Sequence, residues 1–314
     1  MSTKSDSLRV LVTGGCGFIG VNLARHLLAA GHEPIAFDNG SGGRLNDGDT
    51  AGYARVIEAD IRDADALTAA LRDANAVVHL AARTGVVDSV RDPRGDMEVN
   101  VIGTLNALLA ARDAGVRAFV FASSGAPLGE VEQPGHEAIA PRPQSPYGAT
   151  KLAGEGMCSA FAGSYGVPTT ALRFTNVYGP FSYHKGSVIA QFMKRIMNGA
   201  PVVVYGDGEQ TRDFLYVDDV CRGILAALER APMGELYQLG TGVETSINEL
   251  VAVLTDVVSD RRVEVAFEPE RAGEARRAFS DISKARRELG YNPRTPLRDG
   301  LVCTRDWFLE SAHS

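Results

Sequence analysis

A glycine-rich segment near the start of the chain, Thr13-Gly-Gly-Cys-Gly-Phe-Ile-Gly20, constrains the fold more than any other feature. It follows an apolar run at residues 9–13 that predicts a strand, and it opens a stretch at 20–30 that predicts a helix. Glycines at such a junction permit a tight turn, close backbone approach to a pyrophosphate, and close packing of helix on strand. The N–H groups and positive dipole end of the helix then face the phosphates. The segment therefore predicts a dinucleotide site.

Apolar runs alternate with amphipathic stretches across the first half of the chain. Strands are expected at residues 9–13, 34–37, 54–58, 76–80, 118–122 and 169–173, and helices at 20–30, 64–72 and 103–114. Strands that alternate with helices at this spacing form βαβ units, and hence a parallel sheet covered on both faces. The predicted fold class is therefore α/β, a Rossmann-like doubly wound parallel sheet.

The alternation changes after about Asn176. Residues 189–197 and 217–229 read as helices and 201–205 as an extended segment, and they do not continue the pattern cleanly. We therefore expect residues 1–176 to form the dinucleotide-binding domain, with part of 205–240 returning to it. Residues 177–314 are expected to form mainly a smaller lobe over the carboxyl ends of the strands, where ligands of open α/β sheets bind.

The residues around the glycine-rich segment indicate which dinucleotide is bound. Gly14, Gly17 and Gly20 shape the turn, and Asp38 ends the next strand, 18 residues after Gly20. A carboxylate there can accept hydrogen bonds from both ribose hydroxyls of NAD, and it would repel the 2′-phosphate of NADP. Arg44 lies nearby in sequence and leaves NADP open as the alternative. We predict NAD.

Two further strand ends supply expected cofactor contacts. Asp60 and Ile61 follow the third strand and are expected near the adenine ring, although a solvated acidic strand end also explains Asp60. The fourth strand ends in His79-Leu-Ala-Ala82, whose small residues let the chain pass close to a flat cofactor. His79 itself is expected to be a packed core histidine. Thr84 follows this strand and is expected to contact the substrate.

A tyrosine and a lysine four residues apart are the candidate catalytic pair. Ser145 and Pro146 predict a helix start, which places Tyr147 and Lys151 on one helix face. A tyrosine has a pKa near 10, and a lysine cation together with a positive nicotinamide would lower it, so that Tyr147 can act as a base. Upstream, Ser123 and Ser124 end a strand. Either hydroxyl is a candidate to share the substrate proton.

Composition excludes several other classes of protein. Lys and Arg number 32 against 39 Asp and Glu, a formal net charge of −7, which argues against nucleic-acid binding. Neither a membrane-spanning apolar stretch nor a signal-peptide core is found, so no membrane association is expected. The cysteines lie far apart without a CxxC pair, which argues against disulfides and metal sites and favours a cytoplasmic protein. They are Cys16, Cys158, Cys221 and Cys303.

In combination the motifs resemble the extended short-chain dehydrogenase/reductases that act on nucleotide sugars, the NAD-dependent epimerase/dehydratase family. The resemblance runs from about residue 9 to residue 291. It rests on Thr13-Gly-Gly-x-Gly-Phe-Ile-Gly20, Asp60-Ile61, His79-Leu-Ala-Ala82, Asn100-Val-x-Gly-Thr104, Ser123-Ser124, Tyr147-x-x-x-Lys151, Arg173-Phe-x-Asn-Val-Tyr-Gly-Pro180, Tyr205-Gly-Asp-Gly-x-Gln-Thr-Arg-Asp-Phe214, Val217-Asp-Asp219 and Asp281-Ile-x-Lys-Ala285.

The resemblance implies tightly held NAD, a UDP- or dTDP-sugar substrate and a homodimer. It implies that the NAD contacts include Phe18, Ile19, Ala81, Asn100, Tyr147 and Lys151. It further implies that the substrate site includes Asn176, Tyr205, Arg212, Arg271 and Glu274. Arginine forks suit phosphate oxygens. The helices at 103–114 and 147–161 are candidates for the dimer contact, although their apolar faces would also suit the protein's own core.

The resemblance also implies oxidation at C4 of a bound hexose to a 4-ketone. An epimerase then returns the hydride to the other face of the ketone, whereas a dehydratase expels a hydroxyl group first. Most epimerases of the family carry a segment ending Val-Tyr-Gly after the serines, and this chain has Gly125-Ala-Pro-Leu-Gly129 instead. The acids of the usual 4,6-dehydratases are missing, since the next acid is Glu130.

We therefore predict a 4-epimerase first. The alternative is an intramolecular sugar dehydratase, such as the 5,6-dehydratase of UDP-N-acetylglucosamine in tunicamycin-type antibiotic pathways. A reductase that exchanges its cofactor at each turnover, and a non-catalytic member of the family, are the remaining hypotheses. The loop residues Tyr183, His184 and Lys185 either shape the sugar pocket or form a solvated hinge.

Overall fold

The computed structural model describes residues 7–42, 50–230, 232–259, 261–270 and 275–311. In chain order the elements are β1 (Arg9–Thr13), α1 (Phe18–Ala29), β2 (Glu33–Asp38), β3 (Arg55–Glu58), α2 (Ala64–Leu71), β4 (Ala76–His79), α3 (Val86–Arg91), α4 (Pro93–Met97), a π-helical turn (Glu98–Ile102), α5 (Gly103–Ala114), β5 (Phe119–Ser124), α6 (Pro146–Tyr165), β6 (Thr169–Phe174), β7 (Asn176–Tyr178), α7 (Val188–Met197), β8 (Val202–Tyr205), β9 (Thr211–Arg212), β10 (Phe214–Tyr216), α8 (Val217–Arg230), β11 (Glu235–Leu239), β12 (Thr245–Ser246), α9 (Ile247–Val257), β13 (Val265–Glu268), β14 (Arg277–Ala278), α10 (Ser283–Leu289) and α11 (Leu297–Ser311).

A seven-stranded parallel sheet forms the centre of the molecule. Its strand order is β11-β6-β5-β4-β1-β2-β3, with all neighbours parallel. The order reverses direction between β1 and β4, and ligands of such sheets bind at the carboxyl ends beside that point. The predicted doubly wound α/β fold is confirmed, and the glycine-rich segment lies at the reversal.

Helices cover both faces of the sheet because neighbouring strand residues point to opposite sides. Val10 and Val12 of β1 belong to a core cluster that includes Ile224 of α8. Leu11, between them, belongs to a second cluster that includes Leu108 of α5. The two buried faces explain the continuous apolar runs of the strands.

The second half of the chain crosses between the main sheet and smaller sheets. β7 pairs with β10, β8 with β13, and β9 with β12 and β14. α8 packs on α1, and β11 adds an edge strand to the main sheet beside β6. The division into lobes at residue 176 stays a prediction. In the parts of the chain described above, no helix combines the length and apolar character needed to cross a membrane.

Candidate active site

The glycine-rich segment folds back onto the end of β4. Gly14 has φ +68°, and a Cβ on it would lie 2.7 Å from the backbone nitrogen of Ala81. A Cβ on Gly20 would lie 2.4 Å from the carbonyl oxygen of Gly15. Larger residues would therefore force the loop away from the strand and the helix. The two glycines fix a tight loop at the start of α1.

The start of α1 has the features of an anion site. Gly17 is its N-cap, and within the described residues no side chain caps the helix, so its first N–H groups remain open to a ligand. Asp38 lies beside this loop, where its Oδ2 accepts from the Cys16 N–H at 3.0 Å and its Oδ1 from the Gly40 N–H at 2.8 Å. Both carboxylate oxygens keep further acceptor capacity for ribose hydroxyls. This donor and acceptor set fits NAD.

Tyr53 hydrogen-bonds to the glycine-rich loop. This contact was not predicted from the sequence. Its hydroxyl lies 2.9 Å from the Gly15 carbonyl oxygen and 2.7 Å from that of Gly20. Phe18 and Ile19, in the first turn of α1, pack in the core behind the loop. These contacts hold the loop in a single position.

Asp60 and Ile61 are engaged within the protein. The Asp60 carboxylate accepts from the Arg62 side chain at 2.9 and 2.8 Å and from Asn39 Nδ2 at 2.8 Å, and these bonds hold its pKa well below the usual value. The Ile61 side chain is buried, and a Cβ on Gly103 would lie 2.4 Å from its Cδ1. The Ile61 side chain therefore packs in the core, and the expected position of Asp60 and Ile61 near the adenine stays a prediction.

Asn100 clamps the chain segment after β4. Its Oδ1 accepts from the Arg83 N–H at 2.8 Å, and its Nδ2 donates to the Arg83 carbonyl oxygen at 3.0 Å. The same Nδ2 lies 3.1 Å from Asp96 Oδ2 and from Thr150 Oγ1. The Asn100 amide thus holds the segment that follows Ala81, and its contact with NAD stays a prediction.

His79 is the core histidine that the sequence predicted. Its side chain is buried, with Nδ1 2.7 Å from Thr13 Oγ1 and Nε2 3.0 Å from Thr104 Oγ1. The Thr104 hydroxyl donates to the Asn100 carbonyl oxygen, so the imidazole donates from Nε2 and accepts at Nδ1. Burial, together with the Lys151 charge, lowers the pKa of His79 to about 3. The ring stays neutral and joins β1, β4 and α5.

The candidate catalytic side chains meet at the end of β5. Ser145 caps α6 by accepting from the Gly148 N–H at 3.1 Å, which confirms the predicted helix start. Lys151 is buried and donates to the Ala122 carbonyl oxygen at 2.8 Å. Its Nζ lies 5.9 Å from the centre of the Tyr147 ring, and Tyr147 hydrogen-bonds with Ser124. Helix α6 thus brings the pair against the serine.

The protein surroundings of Tyr147 act on the pKa of its phenol. Burial raises it above the ordinary value, and the hydrogen bond with Ser124 only partly opposes this effect. The Lys151 ammonium donates to the Ala122 carbonyl oxygen, and the lowering of the Tyr147 pKa by Lys151 together with a bound nicotinamide stays a prediction. Burial also lowers the pKa of Lys151 to about 8.

Only one of the two serines faces Tyr147. Ser123 is buried and donates to Glu155 Oε1 at 2.5 Å, and Arg173 binds the same carboxylate through Nε at 2.8 Å and Nη2 at 2.7 Å. Adjacent strand residues point to opposite faces. The prediction of Ser123 as a catalytic residue is corrected, and Ser124 remains the candidate.

The expected substrate residues are spread over the smaller sheets. Asn176 is exposed in β7, and its N–H donates to the Asp213 carbonyl oxygen at 3.0 Å. Arg212 is half-buried in β9, where its Nη1 donates to the Thr211 and Ala275 carbonyl oxygens. Tyr205 ends β8. Arg271 and Glu274, together with Arg44, lie outside the described residues.

Lys185 is a site residue whose position the sequence left open. Its Nζ donates to Thr84 Oγ1 at 3.1 Å, which connects the loop after β7 with the loop after β4. Burial lowers the pKa of Lys185, and its charge also acts on Lys151. Lys185 is therefore a second ammonium close to the catalytic pair.

Comparison with known proteins identifies the chain. A family model described as the NAD-dependent epimerase/dehydratase family matches residues 10–240. The chain belongs to this family. Its relatives include a UDP-glucose 4-epimerase of Mycolicibacterium smegmatis, 37% identical over 96% of this chain and 98% of the relative. A dTDP-glucose 4,6-dehydratase of Streptomyces antibioticus is 32% identical over 97% of this chain and 93% of the relative.

Solved structures of family members share the fold. The UDP-glucose 4-epimerase of Thermotoga maritima with UDP-glucose matches with a TM-score of 0.91, 35% identity, and coverage of 97% of this chain and 100% of that chain. The Thermus thermophilus UDP-glucose 4-epimerase in complex with NAD matches with a TM-score of 0.87, 36% identity, and coverage of 96% and 99%. The predicted family membership and NAD cofactor are confirmed, and the chain is an NAD-dependent enzyme.

Proposed function

We propose that this enzyme interconverts the C4 epimers of a UDP-hexose through transient oxidation at C4. The observation that carries this function is the meeting of Ser124, Tyr147 and Lys151 beside the cofactor loop. β5, which bears Ser124, is separated from β1 by β4 alone, and the end of β4 touches the glycine loop at Gly14 and Ala81. A sugar carbon at this point lies between an acid–base group and the cofactor.

Each side chain has a distinct role in this reaction. Tyr147 accepts the proton of the C4 hydroxyl and later returns it, while Ser124 hydrogen-bonds to the same oxygen. Lys151 supplies a positive charge one helical turn away, which favours the phenolate. When bound beside this group, NAD would supply the acceptor and donor of the C4 hydride and a positive ring charge.

A UDP-sugar is the favoured substrate class, with a dTDP-sugar as the alternative. The Mycolicibacterium and Thermotoga relatives are named UDP-glucose 4-epimerases. Asn176, Arg212 and Arg271 are proposed to bind the diphosphate, Glu274 the nucleotide ribose, and Thr84 and Tyr205 the rest of the ligand. Arginine supplies the planar donor pair that phosphate oxygens accept.

A sugar dehydratase is the second candidate function, and the segment after Ser124 favours it. The Gly125 carbonyl oxygen accepts from the Leu128 N–H at 3.1 Å, and the Ala126 carbonyl oxygen would lie 2.6 Å from a Cβ on Gly148. This turn therefore packs beside Tyr147, where it reshapes the wall of the site. A 5,6-dehydratase of UDP-N-acetylglucosamine remains the named form of this alternative.

We further propose that the enzyme is a cytoplasmic homodimer. Exposed apolar side chains cluster on the helices that precede and begin α5, and a second copy would bury them. They are Val86, Val87, Val90, Met97 and Ile102. Size-exclusion chromatography with light scattering tests the dimer, and a monomeric mass at micromolar concentration would contradict it.

Product analysis in deuterated water distinguishes the two functions. The purified protein is incubated with UDP-glucose and with UDP-N-acetylglucosamine, and the products are examined by mass spectrometry and proton NMR. A product of unchanged mass, inverted at C4 and free of deuterium, establishes the 4-epimerase. Loss of one water establishes the dehydratase, and the position of the new double bond or ketone shows whether the C4 hydride returned. NAD retained through purification excludes a reductase that exchanges its cofactor.

A further inference from the structure

One buried carboxylate beside the catalytic helix has no part in the chemistry described above. Asp96 of α4 has 1% of its surface exposed. Its Oδ2 accepts from Thr150 Oγ1 at 3.0 Å and from Asn100 Nδ2 at 3.1 Å, and both donors are neutral groups. Arg83, whose pKa Asp96 helps to raise, is ion-paired with Asp92. A buried carboxylate held by neutral donors is costly to the fold, which calls for a compensating role.

The hydrogen bonds of Asp96 reach the catalytic helix directly. Thr150 stands between Tyr147 and Lys151 in the first turns of α6, and its Oγ1 also lies 2.9 Å from the Tyr147 carbonyl oxygen. On its other side, Asp96 contacts Asn100, which clamps the segment after β4. One carboxylate thus joins the turn that carries both catalytic side chains to the wall of the cofactor site.

The charge of Asp96 acts on the same pair. Burial lowers the pKa of Lys151, and among the charges that oppose this effect Asp96 is the largest. The other groups that face Lys151 are Glu155, which is ion-paired with Arg173, Cys158, Lys185 and the neutral imidazole of His79. Asp96 also contributes to the raised pKa of Tyr147.

We propose, resting on the proposed function, that Asp96 is a positioning residue for the reaction. Through Thr150 it fixes the place of Tyr147, and its negative charge keeps Lys151 an ammonium. Asp96 is buried beneath the catalytic turn, and in this proposal it acts through these two side chains. It is the counter-charge of the catalytic lysine.

Asp96→Asn tests this role through the pH dependence of turnover. Asparagine keeps the shape and an acceptor oxygen but removes the charge, so the pKa values of Lys151 and Tyr147 both fall. Activity needs the Tyr147 phenolate and the Lys151 ammonium together, so Tyr147 sets the acid limb of the kcat profile and Lys151 sets the alkaline limb. Both limbs therefore move to lower pH in Asp96→Asn, by about one unit. A lower kcat with both limbs unmoved would show that Asp96 contributes structure only, and would overturn the assignment.

Three variants serve as controls. Asp96→Glu restores the charge and returns the limbs to their wild-type positions. Thr150→Val removes the hydrogen bond but keeps the charge, so kcat falls while the limbs stay in place. Asp92→Asn removes an exposed carboxylate next to the same helix and leaves the profile unchanged. If Asp96→Asn does not fold, Asp96→Ser provides the same loss of charge with room for water beside Thr150.

A direct titration separates this inference from the proposed function. Protein labelled with ¹³C at lysine Cε, purified with its NAD, gives the pKa of Lys151 by NMR, and Lys151→Arg identifies the signal. Asp96→Asn is expected to lower this pKa by about one unit, and an unchanged pKa would overturn the role of Asp96. If the wild-type protein lacks epimerase activity but the Lys151 pKa still falls in Asp96→Asn, the result contradicts the proposed function and leaves the role of Asp96 intact.

Discussion

The phenol of Tyr147 is the side chain on which the proposed chemistry depends most directly. Its exchange for Phe removes the acid–base hydroxyl and keeps an aromatic ring at this position of α6. We expect turnover to fall by at least ~10²-fold, the usual cost of one general acid–base group, while NAD remains bound. Steady-state kinetics and the cofactor content of the purified variant measure both effects. Wild-type turnover in Tyr147→Phe would remove this residue from the mechanism.

We predict that Asp38 decides the cofactor preference through its charge beside the glycine loop. Its two oxygens are fixed by the N–H groups of Cys16 and Gly40, so its position does not depend on the ligand. Asp38→Ala removes the acceptors for the ribose and the repulsion of a 2′-phosphate. We expect the ratio of NAD to NADP affinity, measured by calorimetry on protein stripped of cofactor, to fall. Asp60→Ala, at the next strand end, is the matched control, and an unchanged ratio in Asp38→Ala would refute the ribose assignment.

At the scale of elements, the loop between β7 and α7 carries Lys185, whose Nζ donates to Thr84 in the loop after β4. We predict that its partly desolvated ammonium binds an oxygen of the substrate. We expect Lys185→Met to raise KM for the UDP-sugar about tenfold, the value of one charge-assisted hydrogen bond, with a smaller effect on kcat. Arg195→Met, an exposed cation on α7, is the control. Equal KM values in wild type and Lys185→Met would contradict a substrate contact of Lys185 and favour the alternative, a solvated hinge loop.

At the scale of the whole molecule, the buried pair of Glu155 and Arg173 joins α6 to the sheet. Arg173→Met leaves the Glu155 carboxylate buried without its partner. We expect the free energy of unfolding to fall by about 3–5 kcal/mol, measured by urea denaturation of protein saturated with NAD. Arg276→Met breaks an exposed pair with Asp207 and should leave the unfolding midpoint unchanged. Equal midpoints for the two variants would show that the buried pair does not stabilise the fold.

The sequence predicted the first half of the fold well because local signals and burial agree there. Strand runs such as residues 9–13 and the capped start at Ser145 coincide with observed elements, while α1 begins at Phe18, two residues before the predicted start. No helices were predicted beyond residue 230, although α9, α10 and α11 form there. Their apolar stripes are short, and these helices depend on packing against elements distant in sequence, which the sequence pattern does not reveal.

The candidate site shows the same division between local and long-range information. The spacing of Tyr147 and Lys151 is a property of one helix, so the sequence alone reveals it. The choice between Ser123 and Ser124 depends on which face of β5 meets α6, and adjacent residues cannot show this. Asp96 lies among ordinary charged residues in sequence, and only tertiary contacts bring it under the catalytic turn.

The late arrival of β11 has a consequence for synthesis on the ribosome. β6 is complete at Phe174, but its neighbour β11 spans Glu235–Leu239 and emerges only after a long intervening stretch. Until then, β6 is an open edge whose unpaired N–H and C=O groups invite pairing with another nascent chain. Chains stalled or truncated between these strands should therefore aggregate or recruit chaperones, whereas release of the next few dozen residues closes the sheet.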